Sequence, residues 1–360
     1  MSRQNITHKP GDDAAMMTAV QIDAPSAPAR LVQVPIPKLR PRHVLVAVYA
    51  AGVNRADIMQ RNGHYPPPPG ASETLGLEIA GRITAIGAGV RGFAPGDEVC
   101  ALVSGGGYAS VCLVPASSCL PVPDLPGGHG VDRLSQAACL PEACLTVWRN
   151  LVELGQLRAG QRLLLHGGNS GIGTIAIQVA RLLGAEIAVT ARGKKKCDAC
   201  RRLGADLVID TQREDFTEVL TATWGKRPID LVIDMLGGDI LARNLVTLKT
   251  GGRHISIAMA TGGAAQVPLG LVLRHRLCLI GSVLRSLPQA DKARLTRAVR
   301  THLWGAISRG ELRPIIEKTL PLEMVDKAHK MMDMPDHVGK IALIMSPHAM
   351  SSRAMPSRGS

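Results

Sequence analysis

The chain has 360 residues and a mass of 38.1 kDa, enough for two domains with separate cores, and 46% apolar against 20% charged residues excludes a disordered chain. A net charge of +13 and a pI near 9.7 favour an anionic partner, but with 2% aromatics and no long basic tail nucleic acid is not the expected one. No run approaches the ~18 apolar residues of a membrane-spanning helix, and eight cysteines scattered without a secretion signal read as the reduced thiols of a cytoplasmic protein.

Residues 1–16 read as a loose extension. The β-branched run at 44–50, the alternating run at 79–87 and the turn at 94–99 that leads into another strand read as short strands without helices, the pattern of a small barrel or sandwich. Between them lie the stretch 51–57 and then Gly63-His64-Tyr65 followed by four prolines, which stiffen the chain and hold Tyr65 in place. From about residue 134 the composition changes. Residues 135–151 read as a helix with Ser135 as its N-cap.

The stretch 161–192 organises the rest. Leu163-Leu164-Leu165 is a short buried strand, Gly167, Gly168, Gly171 and Gly173 form a turn, 174–183 is an apolar helix stopped by Gly184, and 186–190 is a second strand. In such a βαβ unit the glycines let backbone approach a pyrophosphate, and the helix start offers free N–H groups. An NAD site carries a carboxylate at the end of the second strand, about 20 residues past the first glycine. Here that place reads Thr190-Ala191-Arg192-Gly193-Lys194-Lys195-Lys196, with no carboxylate before Asp198, so the expected cofactor is NADPH, its 2′-phosphate paired with these cations. Cys197 and Cys200 form a C-x-x-C inside the basic helix, without a second pair or paired histidines, and read as structural rather than metal-binding.

Beyond this unit, strands at 207–210, 229–234 and 253–257 alternate with helices at 215–223 and up to about 248, the period of a doubly wound parallel sheet. The apolar strand 277–284 has no evident cover and is expected to pair across a homodimer. An amphipathic helix at 292–307, a last strand at 339–345 and a loose tail from 347 complete the chain.

Taken together the motifs AGVNRAD (51–57), GHYPPPPGAS (63–72), LGLEIAGRI (75–83), GDEV (96–99), GGGYAS (105–110), HGGNSGIGTIAIQ (166–178), LGAD (203–206), REDF (213–216), LGG (236–238) and VGKIAL (338–343) resemble the medium-chain dehydrogenase/reductase superfamily. Within it they resemble the zinc-free NADPH:quinone oxidoreductases, the zeta-crystallin-like group, with PPPPG and the LRS at 284–286 leaning towards one branch of it. The resemblance implies an α/β architecture: a GroES-like, β-rich catalytic domain from 17–135 and 297–347, a Rossmann domain at 136–296 that binds NADPH, and loose ends at 1–16 and 348–360. Zinc-bearing relatives carry a cysteine and a Gly-His-Glu where this chain reads Val53-Asn54-Arg55-Ala56-Asp57 and Gly76-Leu77-Glu78, so no metal is expected.

It also implies the site. Asn54 is expected beside the nicotinamide and Tyr65 at the substrate, its hydroxyl polarising a carbonyl oxygen. Gly168, Ser170, Gly171, Ile172 and Gly173 are expected along the pyrophosphate, Lys195 on the 2′-phosphate, and Gly237, Ile257 and Ala258 beside the ribose and nicotinamide. Thr211 stands where the family often has a tyrosine that helps clamp the 2′-phosphate; Arg192 is expected to compensate. The expected reaction is hydride transfer from NADPH to a quinone. The alternative is reduction of an enoyl or enone C=C bond, and a nucleotide- or RNA-binding protein without catalysis is the reading from another class.

Overall fold

The computed structural model describes residues 15–125 and 132–345. The first strands are β1 (Met16–Gln21), β2 (Arg30–Pro35), β3 (His43–Gly52), β4 (Glu78–Ile86), β5 (Glu98–Leu102), β6 (Val111–Pro115) and β7 (Cys119–Pro121). They are followed by β8 (Arg162–His166), β9 (Glu186–Ala191), β10 (Leu207–Asp210), β11 (Ile229–Asp234), β12 (Leu248–Ser256) and β13 (Cys278–Gly281). The chain closes with β14 (Ile316–Pro321) and β15 (Lys340–Ile344). Six of them, in the order β10-β9-β8-β11-β12-β13 and all parallel, form the α/β half. A second sheet runs β14-β15-β3-β4-β5-β7, with β6 also on β3. The GroES-like and Rossmann-like architecture is therefore present, and the last strand crosses back to lie antiparallel to β3.

Local chemistry moves several elements from where the sequence pattern put them. The helix expected at 135–151 starts two residues earlier, because Asp132 is the cap and accepts from the Ser135 amide and hydroxyl at 2.9 and 2.7 Å. Ser135 sits inside the first turn, not at the cap. That helix ends at Ala138, a second begins at Pro141, the position where a missing N–H costs nothing, and the chain widens into a π-turn over Arg149–Leu154. Within AGVNRAD, Ala51 and Gly52 end β3 and Arg55 starts the helix Arg55–Arg61. The strand expected at 277–284 is only Cys278–Gly281, at the edge of the six-stranded sheet. The expected domain boundary at 296/297 runs through one continuous helix, Gln289–His302. β1 begins at Met16, the last residue of the span expected to be loose; the expected tail from 347 lies outside the described residues.

With three Trp, three Tyr and two Phe, the cores are aliphatic. Leu163, Leu165, Ile177, Val179 and Ile187 are fully buried between the parallel sheet and its helices, and Val44, Val46, Ile79 and Ile341 fill the other half. One polar assembly interrupts the first core. His166 at the end of β8 contacts the Thr190 hydroxyl (3.0 Å) and the Asn244 carbonyl oxygen (2.7 Å). Asn244 donates to Asp234 at 3.3 Å and contacts His254 at the same distance. All five are buried. Burial acts to raise the Asp234 carboxyl, but His254 and the Leu236 and Gly237 amides (2.7 and 3.2 Å) hold it below its usual value.

Asn244 is the shared member, and a leucine there strands three buried partners. Asn244→Leu is expected to lower the unfolding free energy by about 2–3 kcal/mol, measured by urea titration.

Candidate active site

The seven-stranded half contributes a closed ionic cluster. β3 ends at Gly52, and the Asp57 carboxylate reaches back to accept from the Asn54 amide at 2.8 Å, which starts the helix Arg55–Arg61. The Asn54 side chain is thereby free to turn inward. Its Nδ2 donates to Glu78 Oε1 (3.1 Å) and its Oδ1 accepts from Lys340 Nζ (2.6 Å), while Lys340 and Glu78 pair at 2.5 Å. The other Glu78 oxygen accepts from the Glu142 amide at 2.9 Å. A Cβ at Gly52 would lie 2.2 Å from Glu78, so the cluster demands glycine there. Glu78 is fully buried and Lys340 nearly so. Burial works against the ammonium, yet Glu78 and its neighbours leave its pKa raised. Asp57 is pushed up to about 6 by burial, against bonds from Asn54, Tyr108 (3.0 Å) and Gly76 (3.1 Å).

Tyr65 is half-buried, and prolines alone do not hold it. Arg285, which lies beyond β13, places its guanidinium 5.4 Å from the Tyr65 ring centre and donates to the Tyr65 carbonyl at 3.2 Å. The same group donates to the Ser104 carbonyl (2.8 and 3.0 Å) and to Gln60 Oε1 (2.7 Å), and Lys292 caps the Arg285 carbonyl at 2.5 Å. Burial, with the Glu142 charge, raises the Tyr65 hydroxyl, so it stays a donor. Glu142 is itself pushed up to about 7, first by burial and then by Glu78, although the Thr146 hydroxyl donates to it at 3.2 Å. Sequence reasoning missed Glu142, Arg285 and Lys340. Two of them stood in stretches singled out for other reasons, LRS and VGKIAL.

The expected nucleotide residues gather at the carboxyl ends of β8, β9, β11 and β12, the edge where ligands of parallel sheets bind. Gly167 (φ +73°) turns the chain, and the Gly167 and Gly168 amides both donate to the Thr190 carbonyl at 3.0 Å. Ser170 caps the helix Gly171–Leu182 by accepting from Gly173 at 2.9 Å. Gly168 packs on Val189, Gly173 on the Gly167 carbonyl and Gly171 on the Lys340 stem, each closer than a Cβ permits. Ile172 and Ile257 line a small apolar cavity with Thr146 and Ile233. Gly237 (φ +70°) has its amide on Asp234, and Ala258 follows Ile257, whose amide donates to the Asp234 carbonyl.

At the end of β9, Arg192 is exposed, and the Thr211 amide and hydroxyl donate to the Ala191 carbonyl at 3.0 and 3.4 Å. Lys194 is taken by Asp198 at 2.6 Å, and Lys195 lies 3.6 Å from Glu317. The turn is also tied to the seven-stranded half: Asn169 accepts from the Gly339 amide (2.7 Å) and donates to the His337 carbonyl (3.0 Å). A glycine turn with a capped helix start, and cations at the end of β9, fit a phosphorylated dinucleotide. Among the described residues no three His, Cys, Asp or Glu side chains are grouped to hold a metal.

Two family descriptions match: the alcohol dehydrogenase GroES-like domain over residues 40–124 and zinc-binding dehydrogenase over 171–300. Quinone oxidoreductase of Rattus norvegicus is 27% identical over 312 residues, covering 86% of this chain and 91% of the rat protein. A phenolphthiocerol/phthiocerol polyketide synthase subunit of Mycobacterium tuberculosis is 29% identical over 331 residues, but the chain spans only 15% of its length. Among solved structures, quinone oxidoreductase of Pseudomonas syringae pv. Tomato superposes with a TM-score of 0.77 at 27% identity, over 92% of this chain and 99% of the other. The chain thus belongs to the medium-chain dehydrogenase/reductase superfamily of pyridine-nucleotide oxidoreductases, as one of its quinone-oxidoreductase-like members.

Proposed function

We propose that the chain is a metal-independent NADPH:quinone oxidoreductase. The observation that carries this reading is the Asn54–Lys340–Glu78 cluster: where zinc-bearing relatives carry ligands, the available carboxylate is already neutralised by a buried ammonium. A cation held by the protein itself leaves no donor set for a metal. The six-stranded half is the cofactor domain and the seven-stranded half the catalytic one.

NADPH, when bound, supplies a hydride. The Ser170 hydroxyl accepts from Gly173 and donates to the Met235 sulfur at 3.9 Å; that proton and the first-turn amides of Gly171 and Ile172 are the donors that would hold the pyrophosphate. Arg192 and Lys195 hold the 2′-phosphate, with Thr211 beside them. Gly237, Ile257 and Ala258 flank the ribose and nicotinamide, and Asn54 presents an amide whose orientation is fixed on both sides. Tyr65, braced by Arg285, donates to a quinone oxygen, and the near-neutral Glu142 supplies the proton that completes the hydroquinone.

The second reading, reduction of an enoyl or enone substrate, is supported by the polyketide synthase matches and by Glu142, since hydride at the β-carbon needs a proton for the α-carbon. A homodimer through β13 is part of the proposal: the neighbouring helix Leu269–His275 leaves Leu269 and Leu273 72% and 82% exposed.

NADPH oxidation, followed by the loss of reduced-nicotinamide absorbance, is expected with 9,10-phenanthrenequinone and weak with NADH. Turnover of crotonyl thioesters but not of quinones would establish the second reading instead, and absence of cofactor binding would end both. Replacing Arg192 and Lys195 together by alanine is expected to raise KM for NADPH about 10- to 100-fold, the worth of one charge-assisted bond, with little change for NADH.

The raised carboxyls also set a pH dependence. Glu142 moves from 4.5 to about 7 and Asp57 from 3.8 to about 6, so the folded chain holds protons that the unfolded chain has lost. That stability is complete below the unfolded values and is lost as pH rises through 6 and 7. Urea midpoints are expected to fall between about pH 5 and pH 8, and Glu142→Gln to end the fall near the Asp57 value.

A further inference from the structure

An NAD-type carboxylate is missing from the end of β9, yet the fold brings one there from elsewhere. Glu317, on β14 of the seven-stranded sheet, places Oε1 3.6 Å from the Lys195 ammonium. Lys195 is exposed and free to swing; Glu317 is not. Its other oxygen is held by the His337 ring and by the Val338 amide at 3.2 Å, and its side chain is 26% exposed. His337 is buried and its carbonyl is tied to Asn169 in the glycine turn. Glu317 is therefore anchored at two points by the loop that closes on the nucleotide turn. The neighbouring Lys196 feels the same charge, together with Asp336.

We infer that Glu317 is a selectivity residue for the cofactor, an internal competitor that occupies Lys195 and tempers the preference for a 2′-phosphate over a 2′-hydroxyl. The inference rests on the reading of Arg192 and Lys195 as the 2′-phosphate site. A phosphate arriving there must draw Lys195 away from Glu317, and the anchored carboxylate cannot follow or turn aside. A cofactor without the phosphate leaves the pair intact. The discrimination between the two is thus the cations' attraction less the loss of one ion pair. Because that pair is exposed on the lysine side, its worth is modest. The fixed acid thus disfavours a 2′-phosphate from a second sheet without binding the ribose hydroxyl, unlike the carboxylate on the second strand of an NAD site.

The test is Glu317→Gln, which keeps the acceptor for the Val338 amide and removes only the charge. Binding of 2′,5′-ADP and of 5′-AMP to the full chain is measured by calorimetry, independently of turnover. The variant is expected to bind 2′,5′-ADP about three- to five-fold more tightly, the upper range of an exposed pair, with 5′-AMP unchanged. In a Lys195→Met background the same change is expected to give no gain. A wild-type chain that prefers 2′,5′-ADP, with a variant that binds it no more tightly or tightens on both ligands alike, overturns the role of Glu317 and leaves the phosphate site standing. A chain in which neither form prefers 2′,5′-ADP overturns the phosphate site, and the inference with it. Equal unfolding midpoints for the two forms keep a folding defect from imitating either result.

Discussion

The contact on which the rest of the structure depends is the buried pair between Lys340 and Glu78, with Asn54 bound to both. A buried ion pair adds little to stability by itself, because desolvation of both ions offsets their attraction, but removing one partner leaves an uncompensated charge. Its value here is placement. Glu78 belongs to β4, Lys340 opens β15, Asn54 precedes the first helix, and the second Glu78 oxygen fixes the start of the helix that holds Glu142. The stem of Lys340 also packs where a side chain on Gly171 would be. One side chain therefore touches both the glycine turn and the Asn54 amide, so neither can shift without the other.

Two further assemblies extend the same logic. The His166–Asn244–Asp234–His254 group runs beneath the carboxyl ends of β8, β11 and β12, and through Asp234 it sets the Leu236 and Gly237 amides. Such groups specify a geometry because every alternative leaves buried donors unpaired. Arg285 does for the proline loop what Asp234 does for the glycine loop: it binds the carbonyls of Ser104 and Tyr65, so the position of the tyrosine is set from the opposite half of the molecule.

How much of this was legible followed from range. The βαβ unit, its glycine turn and its basic strand end are local patterns from which the parallel sheet could be read, and the superfamily was legible in short motifs spread from residue 51 to residue 343. The Asp132 cap was displaced in the reading because Ser135, an equally good capping residue, lies three positions on. The missed residues are all long-range: Arg285 is 220 residues from Tyr65, Lys340 is 286 from Asn54, and Glu317 touches the basic helix from a different sheet. Lysine, glutamate and arginine carry no sign in the sequence of whether they are solvated or buried. The apolar residues around them fix the fold first, and only then is a partner near.

The charge balance explains why so basic a chain keeps so many acids near its site. Ionised carboxylates beside an anionic cofactor would oppose it at close range. Burial eases this for Glu142, which is raised to about 7 and so is about half protonated near neutrality, and less for Asp57, which is raised to about 6 and is still mostly ionised there. Glu78 is matched by Lys340. The cations near the proposed site then differ in burial: Arg192 and Lys195 are exposed at the end of β9, whereas Arg285 and Lys292 are buried beside the Tyr65 loop. Outside the buried cluster, Glu317 on β14 stands opposite the exposed Lys195, where a charge can be changed without touching Lys340, Glu78 or Asn54.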